Sequence, residues 1–144
     1  MNAVSKLAVW PLLFIIGYGD KVAADDAYDY KPERALFHYQ LFCQGCHLPD
    51  GRGAKEVPDL TESLNKLIAS KEGKQFIIQV PGVASAPLND AELAELLNWM
   101  LVAFASQNTN SDALFTADEI HSVRAIPLID LSEKRQKLLV NINK

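Results

Sequence analysis

Cysteine is scarce in this sequence of 144 residues, which contains only Cys43 and Cys46. Two thiols cannot complete a structural zinc site, because zinc needs two further Cys or His ligands at knuckle spacing. A thioredoxin-like redox pair expects a βαβ setting, and the chain carries little strand signal. A structural disulfide between the two cysteines is the remaining simple alternative. The small number of cysteines therefore limits the chemical roles that this pair can have.

Clustered basic charge is also missing. The chain holds 14 Lys and Arg residues against 18 Asp and Glu residues, for a net charge of −4. Phosphate binding depends on clustered Lys and Arg, so no nucleic-acid partner is expected. Mild acidity permits docking on a basic patch of a partner protein. The length fits one small domain with a single core, and the sequence shows no internal repeat and no low-complexity tract.

The pair of cysteines lies in the string Cys43-Gln44-Gly45-Cys46-His47. This C-x-x-C-H pattern is typical of covalent attachment of a c-type haem. Two thiols at this spacing can reach the two vinyl groups of one porphyrin and form thioethers. The histidine directly after the second thiol then falls beneath the iron as its proximal ligand. The motif therefore predicts one haem c held by Cys43 and Cys46, with His47 as a ligand of the iron.

The N-terminus has the pattern of a secretory signal peptide. Lys6 provides a positive charge, residues 7–16 are almost wholly apolar, and Val22-Ala23-Ala24 offers a small-residue cleavage site. The apolar run is shorter than the ~20 residues of a comfortable transmembrane helix, although an uncleaved anchor is the alternative. We therefore predict a signal peptide over residues 1–24, periplasmic export, and no membrane span after cleavage. Export agrees with covalent haem.

Helical periodicity and loop signals dominate the rest of the chain and predict an all-α fold. Pro32 suits the first turn of a helix that leads into the haem motif. Shorter helices are predicted over about 61–70 and 73–80, with a break at Pro81. Asn89 and Glu92 form a capping-box pattern before one apolar face, which comprises Leu93, Leu96, Leu97, Met100, Leu101 and Phe104.

Two further helices are predicted after a polar linker at 107–111. Thr116 with Glu119 makes a second capping box, which opens a helix over about 117–124. Asp130 with Glu133 is expected to open a last helix toward Val140. We predict a domain over residues 25–106 and a C-terminal helical extension over 107–144. The extension is expected to pack on the domain, to cover one haem edge, or to hold a partner protein, and the basic charges of its last helix fit a solvated face.

Ordered pieces of the chain between Pro32 and Ala105 resemble class I cytochromes c. They are Tyr39 before the motif, the stretch Cys46-His47-Leu48-Pro49-Asp50-Gly51-Arg52-Gly53, Pro58, the helix start Leu88-Asn89-Asp90-Ala91-Glu92-Leu93, and Trp99. The resemblance implies a cytochrome c-like helical domain around one haem. It implies that the Pro58 carbonyl accepts a hydrogen bond from His47 Nδ1 and so orients the ring. It also implies that Trp99 packs on the first helix at the haem side.

The chain departs from the family pattern in the loop before the final helix of the domain, where a methionine usually serves as sixth iron ligand. Residues 80–88 contain no Met, His, Lys or Cys, and the whole sequence holds only Met1 and Met100. Three answers remain open: ligation by Met100, which is otherwise core filler; ligation by His121, which is otherwise a surface residue; and a vacant or water-filled position. His38 is expected to be a solvated or partly packed side chain rather than an iron ligand.

These answers imply different functions. Six-coordinate iron is typical of an electron carrier between periplasmic redox partner proteins, and the resemblance favours this function. Five-coordinate iron can bind CO, NO or peroxide, which is the alternative. Peroxidase chemistry needs a distal acid–base residue, whereas Ser85 is the only polar side chain of the distal loop. We therefore expect an electron carrier rather than an enzyme, although docking into a larger oxidoreductase through the extension is compatible with it.

Overall fold

The structure is a computed structural model that describes residues 30–105 and 111–141. Those residues form seven α-helices and one short 3₁₀-helix, and they contain no β-strand, which confirms the all-α prediction. None of their helices is long and apolar enough to span a membrane. The predicted signal peptide and most of the predicted linker lie outside the described residues. The helices are α1 (Pro32–Phe42), α2 (Leu60–Ile68), α3 (Lys71–Gln79), α4 (Pro81–Ala84), α5 (Asp90–Phe104), α6 (Ala117–Val123) and α7 (Leu131–Asn141), and the 3₁₀-helix spans Ser111–Ala113.

Helices α1 and α5 pack against each other through aromatic rings. Tyr39 is fully buried, and its ring centroid lies 5.3 Å from that of Trp99 and 5.2 Å from that of Phe104. Trp99 and Phe104 meet edge to face with centroids 5.5 Å apart. Such pairs add to the stabilisation from buried area. The predicted packing of Trp99 on the first helix is therefore confirmed.

Helix α5 forms the centre of the core. Its capping box is present as predicted, because Asn89 accepts from the Glu92 amide and Glu92 accepts from the Asn89 amide. The six positions of its predicted apolar face are all buried. Two polar residues of α5, Glu95 and Asn98, are also buried, which the periodicity did not indicate.

Helices α2, α3 and α4 follow one another closely along the chain, and α2 also packs on α5. Asp59 caps α2 through a hydrogen bond of 2.8 Å from the Thr61 amide, and Ser70 caps α3 through one of 3.0 Å from the Gly73 amide. The predicted break at Pro81 is present, because α3 ends at Gln79. Pro81 also begins the short helix α4, where its missing N–H leaves no helical hydrogen bond unmade.

The C-terminal extension packs on the same core. The second capping box is confirmed, with Thr116 accepting from the Glu119 amide at 3.2 Å. Phe115, Ile120 and Val123 belong to the main hydrophobic cluster. The last helix begins directly after Asp130, as predicted, and the Asp130 carbonyl accepts from the Lys134 amide at 3.0 Å, although Asp130 itself has a φ of 51°.

Candidate cofactor site

The Cys-x-x-Cys-His segment turns away from the C-terminal end of α1. Cys43 is the C-cap residue, and its amide donates to the Tyr39 carbonyl at 2.9 Å. The Cys46 and His47 amides then donate to the Cys43 carbonyl at 3.1 and 3.0 Å. This tight turn brings both cysteines and the histidine to one side of the chain, where all three line a single cavity.

The loop after His47 is fixed by its own backbone. Gly51 has a φ of 82° and donates to the Leu48 carbonyl at 2.9 Å. His47 and Gly53 form an isolated antiparallel bridge. The Tyr39 hydroxyl donates to the Leu48 carbonyl at 2.6 Å, which ties the loop to α1. The loop therefore holds His47 in place through contacts with both neighbouring segments.

The cavity has a volume of about 320 Å³ and lies among α2, α3, α4, α5 and α7. This volume is within the range of roughly 300–1,000 Å³ typical of small-molecule and cofactor sites, which are mostly apolar. Its walls are mainly apolar. Residues contributing to them include Phe42, Val57, Leu60, Leu64, Leu67, Phe76, Ile77, Val80, Val83 and Leu97.

His47 lies in the cavity as a neutral imidazole. Burial lowers its pKa below the usual value, and the nearby Asp59 carboxylate opposes this shift only in part. A neutral ring is the form that binds a metal ion. Its Nδ1 atom is buried and has no hydrogen-bond partner among the described residues. A buried polar atom of this kind is costly unless a ligand or a protein group satisfies it.

The hydrogen bond expected from His47 Nδ1 to the Pro58 carbonyl is not made in this structure. Pro58 does line the same cavity as His47. Its carbonyl oxygen instead lies against Gly53, where it would be 2.9 Å from a Cβ atom at that position. The sequence spacing thus brings the two residues to one cavity but does not set the direction of the carbonyl.

The two cysteines are free thiols with different environments. Cys43 is partly buried, and its pKa is raised to about 11, first by burial and then by the neighbouring Cys46. Redox-active thiols have a lowered pKa, often at a helix N-terminus, whereas Cys43 caps a helix C-terminus. The described residues also contain no group of three or more His, Cys, Asp or Glu side chains arranged to hold a metal ion. These features weigh against the thioredoxin-like and zinc alternatives.

Met100 lines the same cavity as His47. It belongs to the apolar face of α5 and is 5% exposed. Of the two candidate ligands considered from the sequence, Met100 and His121, it is the one that the fold brings to the cavity. His121 is 83% exposed, and its Nδ1 atom is 3.0 Å from Asp90 Oδ2 on the N-terminal end of α5. The fold therefore does not bring His121 to the cavity.

The remaining predicted residues also lie away from the cavity. Trp99 contacts the rings of Tyr39 and Phe104 and is not among the side chains of the cavity wall, and its packing at the haem side stays a prediction. Its position on α5 directs it to α1, and Met100, the next residue, takes the cavity side. His38 contacts the rings of Phe37 and Phe42 on α1.

Arg135 is a cavity residue that the sequence did not identify. It contributes to the wall beside Leu131 of the same helix, although the basic charges of this helix predicted a solvated face. The signal that could have found it is the helical spacing of Leu131, Arg135, Leu138 and Leu139. That spacing places the four residues on one face.

Comparison with models of known protein families, with curated proteins and with solved structures found no match. The cavity residues nevertheless fit a covalently bound haem. Two thiols, a neutral imidazole and a thioether line one mainly apolar cavity. These are the donor types that haem ligation uses.

Proposed function

We propose that this chain is an exported monohaem c-type cytochrome that transfers electrons between redox partner proteins in the periplasm. The observation that carries the proposal is the convergence of Cys43, Cys46, His47 and Met100 on one apolar cavity. The resemblance to class I cytochromes c supports the same function. An all-α fold with α1 packed on α5 is compatible with a cytochrome c-like domain.

Each of the four residues has a distinct role in this proposal. Cys43 and Cys46 hold the porphyrin through thioether links, for which their reduced thiols are the required starting form. His47 would bind the iron as a neutral imidazole, and Met100 would offer its sulfur as a further ligand. When bound, haem would supply an iron that cycles between its ferric and ferrous states. The apolar walls would tune the environment of that couple.

The proposal treats the chain as an electron carrier rather than an enzyme. Ser63 and Arg135 are the polar side chains that join Cys43, Cys46 and His47 in the cavity wall. Neither is a general acid–base group near neutral pH, which peroxide activation needs. The net charge of −4 suits transient docking on a basic surface of a partner. Docking of the chain within a larger oxidoreductase is compatible with this role.

The test of cofactor attachment is mass spectrometry of the exported protein after denaturation. The chain should be secreted from a host that has c-type haem maturation. We expect the porphyrin mass to remain on the polypeptide. The double variant Cys43→Ser/Cys46→Ser should lose it, whereas Gln44→Ala, inside the same motif, should keep it. An unmodified wild-type chain from such a host would overturn the proposal.

The ferrous protein should then be titrated with CO at neutral pH. A firmly six-coordinate carrier binds CO slowly and incompletely, because the second axial ligand must first leave. Rapid stoichiometric uptake by the wild type would instead support the alternative, a five-coordinate protein that binds a small ligand. Visible spectra of the ferrous protein recorded before and after addition of CO therefore distinguish the two functions.

A further inference from the structure

Helix α7 lies against the cavity through one of its faces. Leu131 and Arg135 contribute to the cavity wall, and Leu138 and Leu139 pack against the main hydrophobic cluster. These four positions follow the spacing of a single helix face. Three of them are leucine, as expected of a face that packs on apolar surface. Arg135 is the exception.

Arg135 is unusual in charge and in its lack of partners. It is partly buried, and among the described residues it is the only Lys, Arg, Asp or Glu in the cavity wall. Within the described residues, its guanidinium makes no hydrogen bond and no ion pair. The other basic residues of this helix do have partners, because Lys134 reaches Gln79 Oε1 at 3.5 Å and Lys137 pairs with Glu133 at 2.5 Å.

An arginine at this position can be explained without a ligand, because its aliphatic stem can cover apolar surface while its head reaches water. That explanation does not account for a permanent charge beside a cavity that also contains Cys43, Cys46 and His47. A porphyrin is an apolar disc with two carboxylates at its edge. The cavity offers apolar walls and one guanidinium, which matches that distribution.

We infer that Arg135 binds a propionate carboxylate of the haem at the edge of the cavity. The inference rests on the proposed function, since it requires haem in this cavity. A guanidinium forms parallel hydrogen bonds with a carboxylate and keeps its charge at every working pH. Arg135 is thus a cofactor-binding residue contributed by the C-terminal extension, and the extension completes the site.

The test compares three variants of the full-length exported protein. Arg135→Leu continues the leucine face and removes the charge, and Arg135→Lys keeps the charge but cannot bind in the same forked geometry. Lys137→Leu is the matched control, because it removes one positive charge from an exposed position of the same helix. Covalent haem is confirmed by mass for each protein before any other measurement.

The first readout is the reduction potential at pH 8, where carboxylates stay ionised. A positive charge beside the iron destabilises its ferric state, so Arg135→Leu should shift the potential downward by clearly more than Lys137→Leu does. Arg135→Lys should recover most of that shift. The second readout is the ferric-minus-ferrous infrared difference spectrum, in which the propionate carboxylate stretch should move in Arg135→Leu and stay unchanged in Lys137→Leu.

Two results would overturn the inference while leaving the proposed function intact. One is an unchanged propionate stretch in Arg135→Leu with haem attached. The other is a wild-type potential that changes when acetate replaces chloride at fixed ionic strength, because Arg135 would then hold a soluble anion. A wild-type protein without covalent haem defeats the proposed function and this inference together.

Discussion

At the residue scale, Met100 serves the core and the candidate site at once. Its side chain is almost wholly buried on the apolar face of α5 and also lines the cavity. Methionine fills irregular apolar space and offers a soft sulfur as a ligand. Met100→Leu separates the two roles, because leucine has a similar volume and no sulfur.

We predict that Met100→Leu costs less than about 1.5 kcal/mol of stability but changes the ferrous spectrum and permits rapid CO binding. Chemical denaturation and a CO titration measure the two effects. His121→Ala is the control, since its exposed ring is paired with Asp90 away from the cavity. An unchanged spectrum in Met100→Leu would refute ligation by Met100.

Glu95 is the residue whose position the sequence predicted least well. It is 1% exposed and receives hydrogen bonds from Arg34 Nε at 2.6 Å, Arg34 Nη2 at 2.9 Å and the Lys31 amide at 2.7 Å. The helical period identified the leucines around it as buried. It could not identify a carboxylate that is buried only because a partner lies 61 residues away in the sequence. Such long-range pairing is invisible to local patterns.

The Arg34–Glu95 pair gives a prediction about pH. Burial acts to raise the pKa of Glu95, but the hydrogen bonds from Arg34 and the Lys31 amide outweigh it and hold the pKa below its usual value. Its stabilisation is therefore complete above the unfolded pKa, ~4.3, and is lost as the pH falls through the lower folded pKa. Glu95→Gln should cost about 2 kcal/mol at pH 7.

Urea unfolding at pH 7 and pH 3 measures this effect, and the difference between Glu95→Gln and the wild type should shrink at the lower pH. Glu133→Gln provides the comparison, because Glu133 pairs with Lys137 on the exposed face of α7. An exposed pair of this kind contributes little to stability. An equal gap at both pH values would contradict the assignment of the lowered pKa to this pair.

At the scale of elements, local signals predicted the helices well where the capping interactions are local. Both capping boxes are present, because each requires only residues three positions apart. The start of α7 after Asp130 was also predicted correctly. The left-handed backbone of Asp130, with a φ of 51°, was not predicted, because the local pattern indicates a helix start and not the conformation of the residue before it.

The loop between α1 and α2 requires glycine at position 51. The sequence indicated a turn here but not the reason for the glycine. Gly51 has a φ of 82°, and a Cβ atom there would lie 2.7 Å from Cδ1 of Phe104. Backbone strain and a steric clash therefore act together. The Gly51 carbonyl also accepts the Leu60 amide at 3.0 Å and so connects the loop to α2.

Gly51→Ala should destabilise the protein by about 2 kcal/mol or more, and it should impair covalent haem attachment because His47 belongs to the same turn. Thermal unfolding and the yield of haem-bearing protein test the two effects. Gly45→Ala is the matched change inside the motif, where a Cβ atom would meet nothing within 4 Å and φ is not positive. Similar behaviour of the two variants would show that the turn does not need this backbone conformation.

At the scale of the whole molecule, the C-terminal extension is joined to the rest by buried polar contacts as well as by apolar packing. The Asn98 side chain donates to the Phe115 carbonyl at 2.9 Å and accepts from the Phe115 amide at 2.7 Å. Lys74 reaches the Leu114 carbonyl at 2.7 Å and Glu119 at 2.9 Å. The sequence predicted helices here but left their packing open, since each of these contacts joins residues far apart in the chain.

Arg124 makes the connection that bears most directly on the cavity. Its guanidinium donates to the carbonyls of Ala84, Ala86 and Leu88, at 2.9 Å for Ala84 and 2.7 Å for Leu88, and it also contacts Asp90 Oδ1 at 3.2 Å. The Ala84 carbonyl ends α4, and the other two belong to the loop between α4 and α5. Val83, on the same segment, lines the cavity. The extension therefore fixes the segment at residues 80–88. This is the loop in which class I cytochromes c usually place a methionine and this chain has none.

Arg124→Met should lower the stability of the whole molecule by about 3 kcal/mol, because it removes charged donors from three main-chain carbonyls. Unfolding in urea can be followed by far-UV circular dichroism and by the fluorescence of Trp99, the only tryptophan after residue 24. If the extension and the rest of the chain form one cooperative unit, both signals shift to the same lower midpoint. His121→Ala, on the same helix, should leave both midpoints nearly unchanged, since its exposed pair contributes little. Two separate midpoints in Arg124→Met would instead mean that the extension unfolds on its own, and the Trp99 signal would then stay at its wild-type position.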